Sequence, residues 1–315
     1  MLYLRITAPS DVAERAADML AASPAVSGLV VVPSASRKPV GDLVTADVAR
    51  EAANEIIERL DALGIRDVGS LHIDTVRTWI SRQGREAELV APGRGADSVV
   101  WADVTQRAYE ESELNWTYLL FMTFATLIAG IAIVLDSQIL VVGAMILGPE
   151  FVAIAALGLA LVRRRFTLLR LAATTLVVGF VVAISLTALA ALAARGLGWI
   201  TEADITGPRP GTAFIYTPDK WSFVVAVIAA AAGVLSLTSA KIGGLSGVFV
   251  SVTTIPAASN VGLALAFGLT DEIVGSSLQL ALNLSGMAFA GWLTLAIQDV
   301  ISSRSRTRRA YGSKR

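Results

Sequence analysis

The chain has 315 residues, 54% of them hydrophobic and only 17% charged, and its mean hydropathy of +0.64 is too apolar for an ordinary soluble protein. Its 26 basic and 26 acidic side chains leave no net charge, but the N-terminal part is mildly acidic and the C-terminal end basic, so no nucleic-acid partner is expected. With no cysteine and a single histidine, His72, disulfides and thiolate metal sites are excluded, imidazole metal chemistry has little to work with, and no cofactor is expected.

The N-terminus has no basic start followed by a long apolar core, so no signal peptide is expected and the first domain should stay in the cytosol. Alternation from Leu2 to Ala8 predicts a strand, and Val12, Ala16, Met19 and Leu20 after Ser10-Asp11 predict a capped helix. The run Val26 to Val32 and its hairpin partner Leu43 to Val48 follow, then a helix from Glu51 to Leu63 and a strand from Val68 to Val76. The order βαββαβ over residues 1–80 is that of an α+β ferredoxin-like domain. Its strands lack the stacking aromatics of an RNA reader. It reads as an assembly or docking module, or else as a regulatory ligand domain, with His72 an ordinary strand residue. Residues 81–97 read as a polar linker without periodicity, and 98–115 as an amphipathic helix at the inner membrane surface or leading into the first span.

A helix needs about 20 apolar residues to cross roughly 30 Å of hydrocarbon. Six segments within 116–298 qualify: Trp116 to Leu135, Gln138 to Val162, Leu168 to Ala194, Trp221 to Ser239, Ser246 to Gly268 and Gly275 to Ile297. The expected fold class is thus an α-helical polytopic membrane protein with about six transmembrane helices. Arg163-Arg164-Arg165, Lys241 and the basic tail 299–315 fall on the cytoplasmic side if the N-terminus does, while Asp136, the 195–220 loop and Asp271-Glu272 fall outside. This places the chain in the plasma (inner) membrane as a multi-pass protein with both termini cytoplasmic. Trp199, Tyr216 and Trp221 would form an outer aromatic belt, Trp116 and Tyr118 an inner one, and the tail would meet anionic membrane lipid.

Spans two and five are interrupted, by Leu147-Gly148-Pro149-Glu150 and by Thr253-Thr254-Ile255-Pro256-Ala257. Superposing Pro149 on Pro256 gives an offset of 107 that relates repeats of about 116–194 and 221–298, although the Gly-Leu-Ala-Leu runs at 158 and 262 lie 104 apart and need a gap. A recurring three-span unit reverses in the membrane, so the prediction is an inverted 3+3 repeat with broken helices. Proline withdraws a backbone donor and frees nearby amides and carbonyls, tolerated at membrane depth only in protein or a wet cavity. Half-helices beginning near Glu150 and Ala257 would point positive ends at the bilayer centre.

The candidate substrate or ion site is therefore Gly148, Pro149, Glu150, Thr253, Thr254, Pro256, Ser259, Asn260 and Asn283, with Ser251 and Ser285 as further polar neighbours. Glu150 is the one carboxylate deep in the apolar region, either a proton or cation site or a cap on its half-helix. The serines, threonines and asparagines either bind solute or join helices. A transport role calls for a polar, water-accessible space between Gly148 and Asn260.

The stretches VGAMILGPEFVAIAALGLAL, TTIPAASNVGLALAFG and LQLALNLSGMAFAG together resemble a bacterial and archaeal family known as an uncharacterised hydrophobic domain, domain of unknown function 389. The likeness runs over roughly residues 110 to 298, and an N-terminal α+β domain is typical of such proteins. The resemblance implies Ser-Pro and Gly-Pro pairs in the first broken helix, where this chain has Gly148-Pro149 followed by Glu150. It implies no reaction or substrate.

No nucleophile-and-base set and no strand-flanked phosphate loop is present, so an enzyme is not expected. The leading expectation is a transporter or channel for a small solute or ion with a cytosolic regulatory or assembly domain, which could form a homo-oligomer. Its rival is a non-transporting membrane receptor or scaffold whose soluble domain binds a ligand or partner.

Overall fold

The computed structural model describes residues 1–76, 78–91, 99–215, 220–238 and 253–312, without the side chains of Phe214, Ser222 and 302–312. The chain falls into two compact units, one of Met1–Val104 with Thr238–Lys241 and Ser302–Arg315, the other of Thr105–Leu237 and Ile242–Ile301.

In the first unit, β1 (Leu2–Ala8), β2 (Val26–Arg37), β3 (Val40–Val48) and β4 (Ser70–Thr75) form an antiparallel sheet in the order β2-β3-β1-β4. Leu2, Leu4 and Ile6 alternate inward along β1 as a half-buried strand should. They meet α1 (Ser10–Ala21) and α2 (Ala53–Ala62), whose Val12, Ala16, Leu20, Ile56 and Leu60 complete a buried core. The predicted cap on α1 is not made: the N-cap is Pro9, and Ser10 Oγ instead donates to Asp42 at 3.0 Å. A further short helix, α3 (Ile65–Val68), precedes β4. His72 lies exposed on β4, opposite Arg5. Leu60 is fully enclosed, so Leu60→Ala is expected to cost about 2–5 kcal/mol of stability, read as a lower midpoint in chemical unfolding of the whole chain.

Residues 81–97 are not simply a linker. Arg82–Val90 forms α4, because Ser81 accepts the Gly84 amide at 3.0 Å as an N-cap and Gly84 and Ala87 bury a small-residue face, with Gly84 against the Trp79 ring. Residues 92–97 of that stretch, and residue 98 after it, lie outside the described ones. Where a helix was expected over 98–115, α5 occupies Trp101–Glu111, and Asn54 clamps its start by donating to Val99 O and accepting from the Trp101 amide.

The second unit is helical: α6 (Trp116–Val134), α7 (Gln138–Leu147), α8 (Glu150–Val162), α9 (Phe166–Gly196), α10 (Glu202–Thr206), α11 (Lys220–Thr238), α12 (Thr254–Phe267) and α13 (Thr270–Gly312). Asn115 and Ser137 cap α6 and α7 through their side chains. Among the described residues, three helices are long and apolar enough to cross a membrane: α6, α9 and the Thr270–Ile301 part of α13. A fourth span results if α7 and α8, bent by 54° at Gly148-Pro149, count as one. Helix α12 and the Phe223–Thr238 part of α11 are apolar but shorter. Only 33% of the apolar window of α9 is buried, so most of that helix needs a non-aqueous medium on its outer side.

Several expectations fall outside the described residues: Ser239, Lys241, the 246–252 start of the fifth span with Ser251, Tyr216, and the end of the tail. Tyr118, expected in an aromatic belt, is instead buried against Gly179, whereas Trp116, Trp199 and Trp221 are exposed.

Candidate functional site

The chain turns at Gly148-Pro149, and α8 starts at Glu150 as anticipated, with Pro149 at the N-cap. Helix α12 starts at Thr254, three residues before the expected Ala257, with Thr253 as its N-cap. Pro256 therefore sits in the first turn, where its missing N–H has no helical partner to lose, so it opens the helix rather than breaking one.

These two starts touch. Thr254 Oγ1 donates to Glu150 Oε1 at 2.6 Å, and a Cβ built on Gly148 would lie 2.7 Å from Ile255 Cγ1 and also meet Glu150 Oε2. Glu150 is 6% exposed and Thr254 fully enclosed. Glu150 Oε2 has no hydrogen-bond partner among the described residues.

From this junction a polar row runs along one face of α13. Glu272, Ser276, Gln279 and Asn283 recur at four, three and four residues, which aligns them on one side of a helix over about 16 Å. Asn283 Nδ2 and Gln279 Nε2 donate to Thr253 Oγ1 at 2.8 and 3.3 Å. Asn260 Nδ2, two turns into α12, donates to both Ser276 Oγ and Glu272 Oε2 at 2.7 Å. Arg209, from the segment between α10 and α11, pairs with Glu272 at 3.1 Å and reaches Asn260 Oδ1 at 3.4 Å. Both charged side chains are largely enclosed, 4% and 16% exposed.

The segment carrying Arg209 is tied down at a second point. Asp136, between α6 and α7, accepts the Gly211 amide at 3.1 Å and the Thr212 hydroxyl at 2.9 Å. A stretch expected to be a plain loop thus inserts a cation among the helices.

Of the nine candidate residues, Gly148, Pro149, Glu150, Thr253, Thr254 and Pro256 come together at the junction, and Asn260 and Asn283 join the polar row. Ser259 does not: it donates to Thr126 O at 2.7 Å, beside a Thr187–Thr126 hydroxyl bond, and so ties α12 to α6 and α9. Ser285 bonds only back to its own helix, at Ala281 O and Leu282 O. Arg209, Glu272, Ser276 and Gln279 were missed. The spacing from Glu272 to Asn283 was visible in the sequence, but nothing local distinguishes Arg209 from a solvated loop arginine.

Residues 145–289, which contain both helix starts and the whole polar row, match the model of a family described as a domain of unknown function (DUF389). The match agrees with the resemblance carried by the glycine, alanine and proline stretches, and its description supplies no activity. No curated protein and no solved structure matches the chain.

Proposed function

We propose that the chain is an inner-membrane transporter or channel for a small solute or ion, with a substrate site where the two half-helices meet. The observation that carries this reading is the Thr254–Glu150 hydrogen bond of 2.6 Å, which joins the starts of two apolar helices 104 residues apart. An anchor for a receptor has no use for two helix starts that meet at a buried carboxylate. Intramembrane ionisable groups and discontinuous helices are the features that mark solute sites in transporters.

The proposed architecture has six spans in two inverted halves. In its favour, Trp116 and Lys220, Glu150 and Thr254, and Phe166 and Thr270, which begin corresponding helices, are each separated by 104 residues. That spacing also superposes the two Gly-Leu-Ala-Leu runs without a gap. On it Pro149 and Pro256 are not equivalent. The first unit, proposed as a cytosolic ferredoxin-like regulatory or assembly domain, has in its favour the sheet order β2-β3-β1-β4 with two packed helices. Cytoplasmic termini, lipid contact by the tail and self-assembly belong to the same proposal.

Glu150 and Asn260 are both buried, so the water-accessible space expected between Gly148 and Asn260 is not part of the support for this reading. Flux into proteoliposomes should change in Glu150→Gln and in Asn260→Ala by about tenfold or more, the scale of losing a hydrogen bond to a charged group. Unchanged flux in both variants would remove the site. A tracer screen across inorganic anions, cations and small organic acids that moved nothing would favour the receptor.

A further inference from the structure

We propose that the junction of α8 and α12 is a site for a small monovalent anion, and that the Glu150 carboxylate occupies it as a tethered substitute. The inference rests on the transport reading and narrows its substrate class.

Charge balance decides between anion and cation. Each helix N-terminus carries roughly half a positive charge, with first-turn amides lacking helical partners except at Pro149 and Pro256, which have none to give, so the two starts amount to about one unit. A single carboxylate offsets that. A cation added beside Glu150 would leave the two helix ends uncompensated, whereas a free anion in place of the carboxylate would restore the balance.

The side chains of the junction are of the matching kind. Thr254 already donates its hydroxyl to a carboxylate oxygen. Thr253 Oγ1 accepts from Asn283 and Gln279, which leaves its own hydrogen to give. Hydroxyls and amides without a full positive charge suit a monovalent anion, while a divalent one would be left half neutralised. The nearest charged pair on the polar row, Arg209 with Glu272, is self-compensating and meets Asn260 two turns up α12.

Glu150 is the first residue of α8, and its carboxylate also bonds outside its own helix. The N-cap position belongs to Pro149, and no side-chain cap bond is made there. The carboxylate reaches across to the other helix, and its Oε2, buried against Gly148, has no partner among the described residues. A buried acceptor without a described partner is costly.

The test uses the full chain in two assays, with Glu150→Ala and Glu150→Gln compared against wild type after each is shown to be monodisperse. In liposomes loaded with potassium chloride, both variants should release chloride at least about tenfold faster than wild type, with potassium release unchanged. In detergent, the thermal midpoint of both variants should rise with sodium chloride and not with sodium gluconate, since a ligand that binds the folded state raises its midpoint. Loss of sodium or potassium flux in the variants would leave transport standing and overturn the anion assignment. A chloride-dependent midpoint without any flux would keep the anion site and overturn transport. No chloride effect in either assay would overturn the anion site.

Discussion

Arg209→Ala should destabilise the protein by about 3–5 kcal/mol, because truncating one member of an enclosed ion pair strands the other. Glu272 is 16% exposed and would keep only the Asn260 amide, at 2.7 Å, as a described partner. Asn260 would lose its Arg209 contact at the same time, so the loss extends along the polar row. The sign reverses if both charges go: Arg209→Met combined with Glu272→Leu should recover most of the stability, since a buried pair gains little over apolar packing of the same volume. Thermal unfolding of the detergent-solubilised chain measures both. A loss below about 1 kcal/mol for the single variant would mean that the pair behaves as a screened surface contact.

Gly158→Leu is the second change expected to matter most. Helix α8 passes so close to α13 at this point that an added Cβ would lie 2.7 Å from the Trp292 amide nitrogen and 2.9 Å from the Gly291 carbonyl carbon. Those are backbone atoms and cannot rotate aside, so the two helices must separate, and overpacking of this kind costs on the order of 1–3 kcal/mol or more. Gly143→Leu is the matched control. A Cβ at Gly143 in α7 meets nothing within 4 Å, so this variant should be neutral or gain slightly from better helix propensity. Equal thermal midpoints for the two variants would count against the close crossing of α8 and α13. Because α8 begins at Glu150, displacing it should also disturb the junction, so Gly158→Leu is expected to change flux as well as stability.

How much of this was legible in the sequence depended on whether the signal was local. The period-two pattern of β1, the apolar runs of α6 and α9 and the break at Gly148-Pro149 follow from neighbouring residues, and each lies within a residue or two of expectation. Helix α4 was hidden because its two stabilising features, the Ser81 cap and a face of Gly84 and Ala87, carry almost no hydrophobic period. The start of α12 lies three residues ahead of the expected one because a proline, which breaks a helix interior, is harmless in a first turn.

The sequence by itself determined the apolar helices, set apart from a soluble-type N-terminal part, and the break at Gly148-Pro149. Those depend on hydropathy and on backbone donors, properties that each segment carries alone. Only the tertiary structure decided that the two helix starts meet at Glu150 and Thr254, that Arg209 leaves its loop to pair with Glu272, and that Ser259 joins helices instead of lining the site. These contacts link residues 63 to 133 positions apart, and no local preference specifies which buried polar group will find which partner. That choice is made when the helices pack, because each buried donor and acceptor must then be satisfied at once.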